Sequence, residues 1–373
     1  IHGVASLPGN SILDALKKLT EDKVLQLQVA ALDALATRGD KSVLPDLMKI
    51  LKESFLWEVR TSALAAIGKM GDESLAEELI EVLRKARNDE GRLINEIADI
   101  LKSWVGGDGG HDPNAWAAIL AAKKQGTSEN KTGVEIIPTN FFGLKSKSTR
   151  VMYVIDISGS MNEPASEPPP RQDKEPPVVE TGPDGKPDPN VDKAKGAKQE
   201  YDKRIVKTRI DALKKELINS IFALDTKVFF NIIYFSDMAN RWHPARLQAT
   251  WATKLEAMKF VDSLSAYGGT NTFDSLEMSF QFVQAKGKPE LVQFDQMANY
   301  ATGLAGVDTI YLLSDGVPNG GRIFDRPAIC EELKKINKLR KIVINTIAIG
   351  DPNPNSRAGE IDPAFLEQIA RDN

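Results

Sequence analysis

Residues 151 to 161 read Val-Met-Tyr-Val-Ile-Asp-Ile-Ser-Gly-Ser-Met. Five apolar, β-prone residues are followed by one carboxylate and two hydroxyls at alternate positions. An unbroken apolar run of this kind marks a strand buried on both faces of a parallel sheet. Asp156, Ser158 and Ser160 then fall where that strand stops, and Gly159 permits a turn sharp enough to aim their oxygens at one point. Hard oxygens without sulfur or imidazole suit a small hard cation far better than zinc. Two later stretches share this design. Gly268-Gly269-Thr270-Asn271-Thr272 offers a hydroxyl on a glycine-bent loop ahead of an amphipathic helix, and Leu312-Leu313-Ser314-Asp315-Gly316 ends another apolar strand on a carboxylate.

Other chemistries fit these residues less well. Asp-x-Ser-Gly-Ser on its own is ordinary turn composition, so the case for a metal rests on three segments that match in design. Acyl transfer through Ser158 or Ser160 lacks a base, because His2, His111 and His243 all lie outside the three segments. A phosphoaspartyl transferase of the haloacid-dehalogenase-like kind would want a second aspartate two residues beyond Asp156, where this chain has Ser158.

At Asp156, Ser158, Ser160, Thr270 and Asp315 the chain resembles the von Willebrand factor A domain. The metal-ion-dependent adhesion site of that family is written Asp-x-Ser-x-Ser, then Thr, then Asp. The resemblance implies that the serines and the threonine reach a divalent ion directly or through water, with the aspartates partly behind them. One coordination position is then left for an Asp or Glu of a protein partner. Mg²⁺ is the expected ion, with Mn²⁺ or Ca²⁺ as substitutes. Tyr267, Asn271, Pro318, Asn319 and Arg322 lie on the flanking stretches and are expected to border that position. The reading is therefore a non-enzymatic binding module. Ro-type RNA-binding proteins also join helical repeats to an A domain, which gives a ribonucleoprotein component as the alternative. A Mg²⁺-dependent phosphoryl-transfer enzyme is a third option, one for which no general acid or base stands out.

The surrounding elements must hold these segments in place. A chain of 373 residues has room for two domains, each with its own core. A net charge of −4 and a pI near 5.7 give no overall field drawing it to nucleic acid or anionic lipid. No apolar run approaches the roughly 20 residues that span a bilayer. Cys330 is the sole cysteine, which excludes an internal disulfide and a cysteine-based zinc site; its expected place is a small buried residue on a helix over 328–339. The chain begins at Ile1, compatible with removal of a signal peptide or of a preceding domain, and says nothing about location.

From Ser11 to Lys124 the pattern is helical and repeats. Ala31-Leu32-Asp33-Ala34-Leu35-Ala36-Thr37-Arg38-Gly39-Asp40 realigns with Ala63-Leu64-Ala65-Ala66-Ile67-Gly68-Lys69-Met70-Gly71-Asp72, about one helix-turn-helix repeat later. A fainter copy runs over 93–104 and resumes at 114–124, while 11–19 reads as the second helix of a copy that starts before Ile1. Gly39 and Gly71 are expected to end helices in the left-handed conformation, and Asp40 and Asp72 to cap the next ones. The repeats resemble HEAT repeats, a solenoid whose concave face takes a partner. Trp57 and Trp104 are expected to plug joints between repeats.

The expected fold is thus an amino-terminal all-α, HEAT-like solenoid (1–125), a connector (126–148), and a doubly wound, mainly parallel α/β domain of the A type (149–373). The connector is expected to hold a short strand at 134–137 and an anchor at Phe141-Phe142. An insertion over 162–192 interrupts the last domain. Residues 163–190 hold nine of the 20 prolines with almost nothing apolar, too little to order a packed structure. Because it leaves a strand's carboxyl end, this segment should emerge on the rim that carries the metal site, either as a flap that offers Glu163, Glu167 or Asp173 as a competing internal ligand or as a passive loop. Further helices are expected over 205–224, 255–264, 273–284 and 362–371, strands over 228–235, 309–314 and 342–349, and an edge strand within 238–248. Export from a bacterial cell is one location the resemblance allows.

Overall fold

The computed structural model describes residues 3, 9–86, 91–125, 139–141, 144–146, 148–165, 188–285, 288–291, 306–315, 317–350 and 361–373. They fall into two compact units, one holding the helices up to Lys124 and the other everything from Thr139 onward.

The first unit is helical: α1 (Asn10–Leu19), α2 (Leu25–Arg38), α3 (Leu44–Glu53), α4 (Trp57–Met70), α5 (Ala76–Lys85), α6 (Gly91–Val105) and α7 (Pro113–Lys124). The pairs α2/α3, α4/α5 and α6/α7 are successive repeats. At the same place in each, an aspartate accepts the backbone N–H two residues on: Asp40 from Ser42 (3.0 Å), Asp72 from Ser74 (3.1 Å), and Asp112 from Asn114 (2.8 Å). Such a turn satisfies donors that a helix start leaves open, which is why the aspartate recurs where the glycines and apolar residues drift. Leu32, Leu47, Leu51, Leu64, Ile67, Leu79, Ile97 and Leu101 are fully buried between the helices.

The glycine before the aspartate does two different jobs. Gly39 ends α2 in the left-handed conformation, φ 74°. Gly71 does not: it is extended (φ −80°, ψ −178°), and it is glycine for space, since a Cβ there would stand 2.9 Å from the Trp104 ring. Trp57 carries the Arg92 guanidinium over its ring at 5.5 Å. Both tryptophans therefore sit at contacts between repeats.

The second unit begins with the antiparallel pair β1 (Thr139–Phe141) and β2 (Leu144–Ser146), followed by β3 (Arg150–Asp156). Then come α8 (Val191–Asp202), α9 (Arg209–Ala223), β4 (Phe229–Phe235), β5 (Ala239–Arg241), β6 (Leu247–Gln248), α10 (Trp251–Ser263) and α11 (Thr272–Phe280). A hairpin of β7 (Phe282–Ala285) and β8 (Lys288–Leu291) precedes β9 (Thr309–Ser314), α12 (Arg326–Arg340), β10 (Val343–Ala348) and α13 (Pro363–Asp372). The main sheet runs in the order β10-β9-β3-β4-β5, with β6 also on β4. The strands β10, β9, β3 and β4 are parallel, and β5 and β6 are antiparallel to β4.

All seven residues of β3 are buried, as expected of a central strand with helices on both faces. Val151, Tyr153 and Ile155 join Leu213, Leu217 and Ile221 of α9 and Met258 of α10 in one core. The α8, α9 and α10 helices pack on one another, while α11, α12 and α13 form the second layer. Tyr153 stacks on Tyr311 of β9 (5.8 Å between centroids) and hydrogen-bonds Ser220 of α9 (2.7 Å), which ties strand, neighbour and helix together.

Several boundaries differ from the sequence expectation. The helix expected over 205–224 starts at Arg209, because Thr208 and Asp211 form a reciprocal capping box that fixes the start there. The helix expected over 273–284 ends at Phe280, and Phe282–Ala285 pairs as a strand, in keeping with the β preference of Phe282 and Val283. The α10 helix begins four residues before Leu255, at Trp251, capped by Thr250. Cys330 is half-buried rather than buried. The strand expected at 134–137, Phe142, Glu167 and Asp173 lie outside the described residues.

Lys254 of α10 is buried, and its ammonium donates to the carbonyls of Phe222 (3.0 Å) and Leu224 (2.5 Å) at the end of α9. A helix end leaves such carbonyls open, and here the buried ammonium satisfies two of them. Lys254→Met should therefore lower unfolding free energy by about 2 kcal/mol, read from urea denaturation; unchanged stability would contradict this role.

Candidate metal centre

In sequence, β4 follows β3 on one side of the sheet, while β9 lies on the other side of β3. The strand order thus reverses beside β3, and in open α/β sheets the crevice outside the carboxyl ends at such a point is where ligands bind. Asp156 closes β3 and Asp315 follows β9, so the topology alone brings both carboxylates to that crevice.

Asp156 is fully buried. One carboxylate oxygen accepts from the Ser158 backbone N–H (2.8 Å) and the other from the Ser314 hydroxyl (2.6 Å). Ser158 is buried too, and its Oγ lies 3.0 Å from that of Ser160, which sits on the short 3₁₀ turn Gly159–Asn162.

The Thr270 loop is stitched to both strand ends. Tyr267 N–H donates to the Ile157 carbonyl (2.8 Å), Gly159 N–H to the Gly268 carbonyl (2.9 Å), and Asn271 N–H to Ser236 just beyond β4 (2.9 Å). On its other side, Thr270 N–H donates to the Asn319 side chain (2.7 Å), and Asn319 N–H returns to the Thr270 carbonyl (3.1 Å). Asp237, next along from Ser236, accepts from Gly269 N–H (2.7 Å). The three segments picked out by sequence therefore meet, joined mainly through backbone groups.

Asp315 is buried beside Asp156, and the Arg209 guanidinium of α9 lies 3.3 Å from its Oδ2. Burial pushes the Asp156 carboxyl up to about 7. The Asp315 charge adds to that push, and the hydrogen bonds from Ser158 and Ser314 work against it.

Of the flanking residues, Tyr267, Asn319 and Arg322 are exposed. Asn271 and Pro318 are buried. Asn271 is occupied in capping α11, accepting from Asp274 N–H (3.3 Å), while its amide donates to the Asp237 carbonyl (3.2 Å). Glu163 is partly buried; its carbonyl accepts from Arg209 N–H (3.0 Å), which anchors the start of the proline-rich segment.

Sequence reasoning passed over Ser314, Asp237 and Arg209 as parts of this arrangement, and took Asn319 for a rim residue without its bond to Thr270. For Arg209 a signal was there. A cation in a helix's first turn opposes the helix dipole, so an arginine directly after the Thr208 cap needs an anion elsewhere. The others make hydrogen bonds that depend on tertiary approach and leave no local pattern.

Among the described residues no group of three or more His, Cys, Asp or Glu is placed to hold a metal. A centre here must rest on hydroxyls with two carboxylates. Their spacing fits one: adjacent ligands of an octahedral ion with bonds of 2.0–2.1 Å lie about 2.9 Å apart, against 3.0 Å between the two serine oxygens.

A family model for HEAT repeats matches residues 12–98. Among curated proteins, inter-alpha-trypsin inhibitor heavy chain H4 of Homo sapiens is 26% identical over 165 residues, covering 44% of this chain and 16% of that one. Its counterpart in Mus musculus is 26% identical over 168 residues, covering 44% and 15%. The chain thus spans well under a fifth of the length of these relatives. Among solved structures, a von Willebrand factor type A protein from Catenulispora acidiphila aligns with a TM-score of 0.36 at 18% identity, covering 61% of this chain and 38% of that one. The conserved hypothetical protein BatB from Bacteroides thetaiotaomicron aligns at 0.32 and 15%, covering 60% and 85%.

An ion held here needs Asp156 ionised, so it competes with a proton. With the carboxyl at about 7, Mn²⁺ affinity followed by electron paramagnetic resonance should fall roughly 30-fold between pH 8 and pH 5.5. The same carboxyl is raised above its unfolded value. In the metal-free protein the stabilisation from this one group is therefore fully present below about pH 4 and is lost as pH rises from about 4 to about 7. An affinity flat across this range would contradict the placement of Asp156.

Proposed function

We propose that this chain is a non-enzymatic, metal-dependent protein-binding module. Asp156, Ser158, Ser160, Thr270 and Asp315 hold a divalent cation, and a carboxylate of a protein partner takes the remaining coordination position. The observation that carries this reading is the meeting of three separate loops at the switch point of the sheet, two buried carboxylates and paired hydroxyls facing one another there.

The ion expected is Mg²⁺ or Mn²⁺. Neutral hydroxyls with only two carboxylates form a small, hard-oxygen ligand set of the kind these ions take alongside water. Hydroxyl ligands are neutral, so a bound ion keeps positive charge and favours an outside acid. The surroundings suit a protein rather than a small anion: Met238, Tyr267 and Phe324, on the loops around the site, are 70%, 54% and 61% exposed. Exposed apolar side chains on these loops would be covered by a partner's surface.

The helical repeats supply a second protein-binding surface. Phe55 stands almost fully exposed among Lys52, Glu53, Arg60, Glu81 and Lys85, an aromatic side chain with charged neighbours of both signs that gains nothing from solvent. No described helix is long and apolar enough to cross a membrane.

The test is capture of protein partners by the immobilised chain in Mg²⁺ and in excess chelator. Chelation should abolish capture at the sheet unit, and Asp156→Ala or Thr270→Ala should do the same in Mg²⁺ while circular dichroism stays unchanged. Full-strength capture in chelator would refute the metal bridge.

A further inference from the structure

Among the described residues Arg209 is the largest charged side chain with 0% exposure, and it reaches Asp315 of the candidate centre. Three features fix it there. Thr208 and Asp211 cap α9 so that Arg209 takes the first helical position. Its backbone N–H bonds the Glu163 carbonyl (3.0 Å) on the chain leaving the serine loop. Its guanidinium reaches Asp315 Oδ2 at 3.3 Å, in a pair where both side chains are shut off from water.

Burying an arginine in a first turn, against the helix dipole, brings no gain to α9. Its charge falls on Asp315. Asp156 and Asp315 alone would give the site a charge of −2; with Arg209 beside them it is −1. The ion pair Arg326–Asp362, at 2.5 Å, is neutral within itself, and Asp237, which accepts from Gly269 N–H, is exposed to solvent that screens its charge. The Arg326–Asp362 pair joins the centre through Asp362 N–H, which donates to the Asp315 carbonyl (2.9 Å).

We infer that Arg209 is a positioning residue that holds Asp315 by one oxygen and sets the charge of the metal centre. It weakens the grip on the cation and leaves the bound ion more electropositive towards an incoming carboxylate. A divalent ion among −1 of fixed charge leaves +1, whereas among −2 it would be neutralised and would hold an outside acid far less strongly. The centre thus gives up metal affinity for partner affinity. This inference rests on the metal-binding reading above and deepens it.

The test measures Mn²⁺ affinity of the whole chain at pH 8 by electron paramagnetic resonance, for the natural protein, Arg209→Met and Arg209→Lys. Arg209→Met should bind Mn²⁺ at least about tenfold more tightly, and its thermal midpoint should rise more on adding Mn²⁺. Arg209→Lys, which keeps the charge, should stay within about threefold of the natural protein. A purely structural arginine would predict weaker binding, or none, in Arg209→Met. Equal or weaker affinity in a folded Arg209→Met overturns the inference and leaves the metal reading standing. If Arg209→Met is unfolded without metal, recovery of its helical signal on adding Mn²⁺ supports the inference, and failure to recover overturns it. If the natural protein binds no Mn²⁺, both fall together.

Discussion

Two carboxylates, Asp156 and Asp315, are held close together where water is excluded, and much of the second unit can be understood from what that requires. Like charges inside a protein repel strongly and each loses its hydration, so the pair is tolerable only with compensation. The compensation is visible in Ser158 N–H and the Ser314 hydroxyl on Asp156 and in the Arg209 guanidinium on Asp315. It remains incomplete, as the raised Asp156 carboxyl shows. A divalent ion would complete it, and the paired serine hydroxyls stand at a distance such an ion could bridge.

Placing the pair falls to the sheet. Strands β3 and β9 are neighbours and parallel, in register from Val151 opposite Thr309 to Ile155 opposite Leu313. Their carboxyl ends therefore coincide, and the residues that follow face one crevice. The Thr270 loop is delivered from the far side of β4 and fastened by backbone bonds to Ile157, Gly159 and Ser236. Because those bonds use main-chain groups, loop shape depends little on the exposed Tyr267 side chain, whereas Arg322 is tied to Glu277 and lies over the Phe273 ring. The helical unit is built on another rule, an aspartate-opened turn repeated at Asp40, Asp72 and Asp112, with apolar faces that need a neighbouring repeat to cover them.

The periodic features could be read directly from the sequence. An apolar run ending in Asp-x-Ser-x-Ser carries strand, turn and oxygen cluster within eleven residues, and the Gly-Asp turns mark the repeats because the same chemistry recurs at a fixed spacing. What escaped reading depends on partners distant in the chain. Asn271 looked like a rim residue and proves to be a helix cap, because its neighbour Asp274 presents an N–H that sequence alone cannot orient. Gly71 looked like a copy of Gly39 and answers instead to Trp104, thirty-odd residues away. Arg209 had a local signal in its clash with the helix dipole, and only the fold supplies Asp315 as its reason. The strand Phe282–Ala285 was hidden because a short apolar stretch after a helix has no period long enough to tell helix from strand.

The account stands or falls on the position of one ion. A crystal of the protein grown with Mn²⁺, with data collected near the manganese absorption edge, would place it by anomalous scattering. The expected result is a single strong peak roughly 2.2 Å from the Ser158 and Ser160 hydroxyl oxygens and within direct or water-bridged reach of Thr270, Asp156 and Asp315. A map at saturating Mn²⁺ with no peak in that crevice, or with its peak elsewhere, would contradict it.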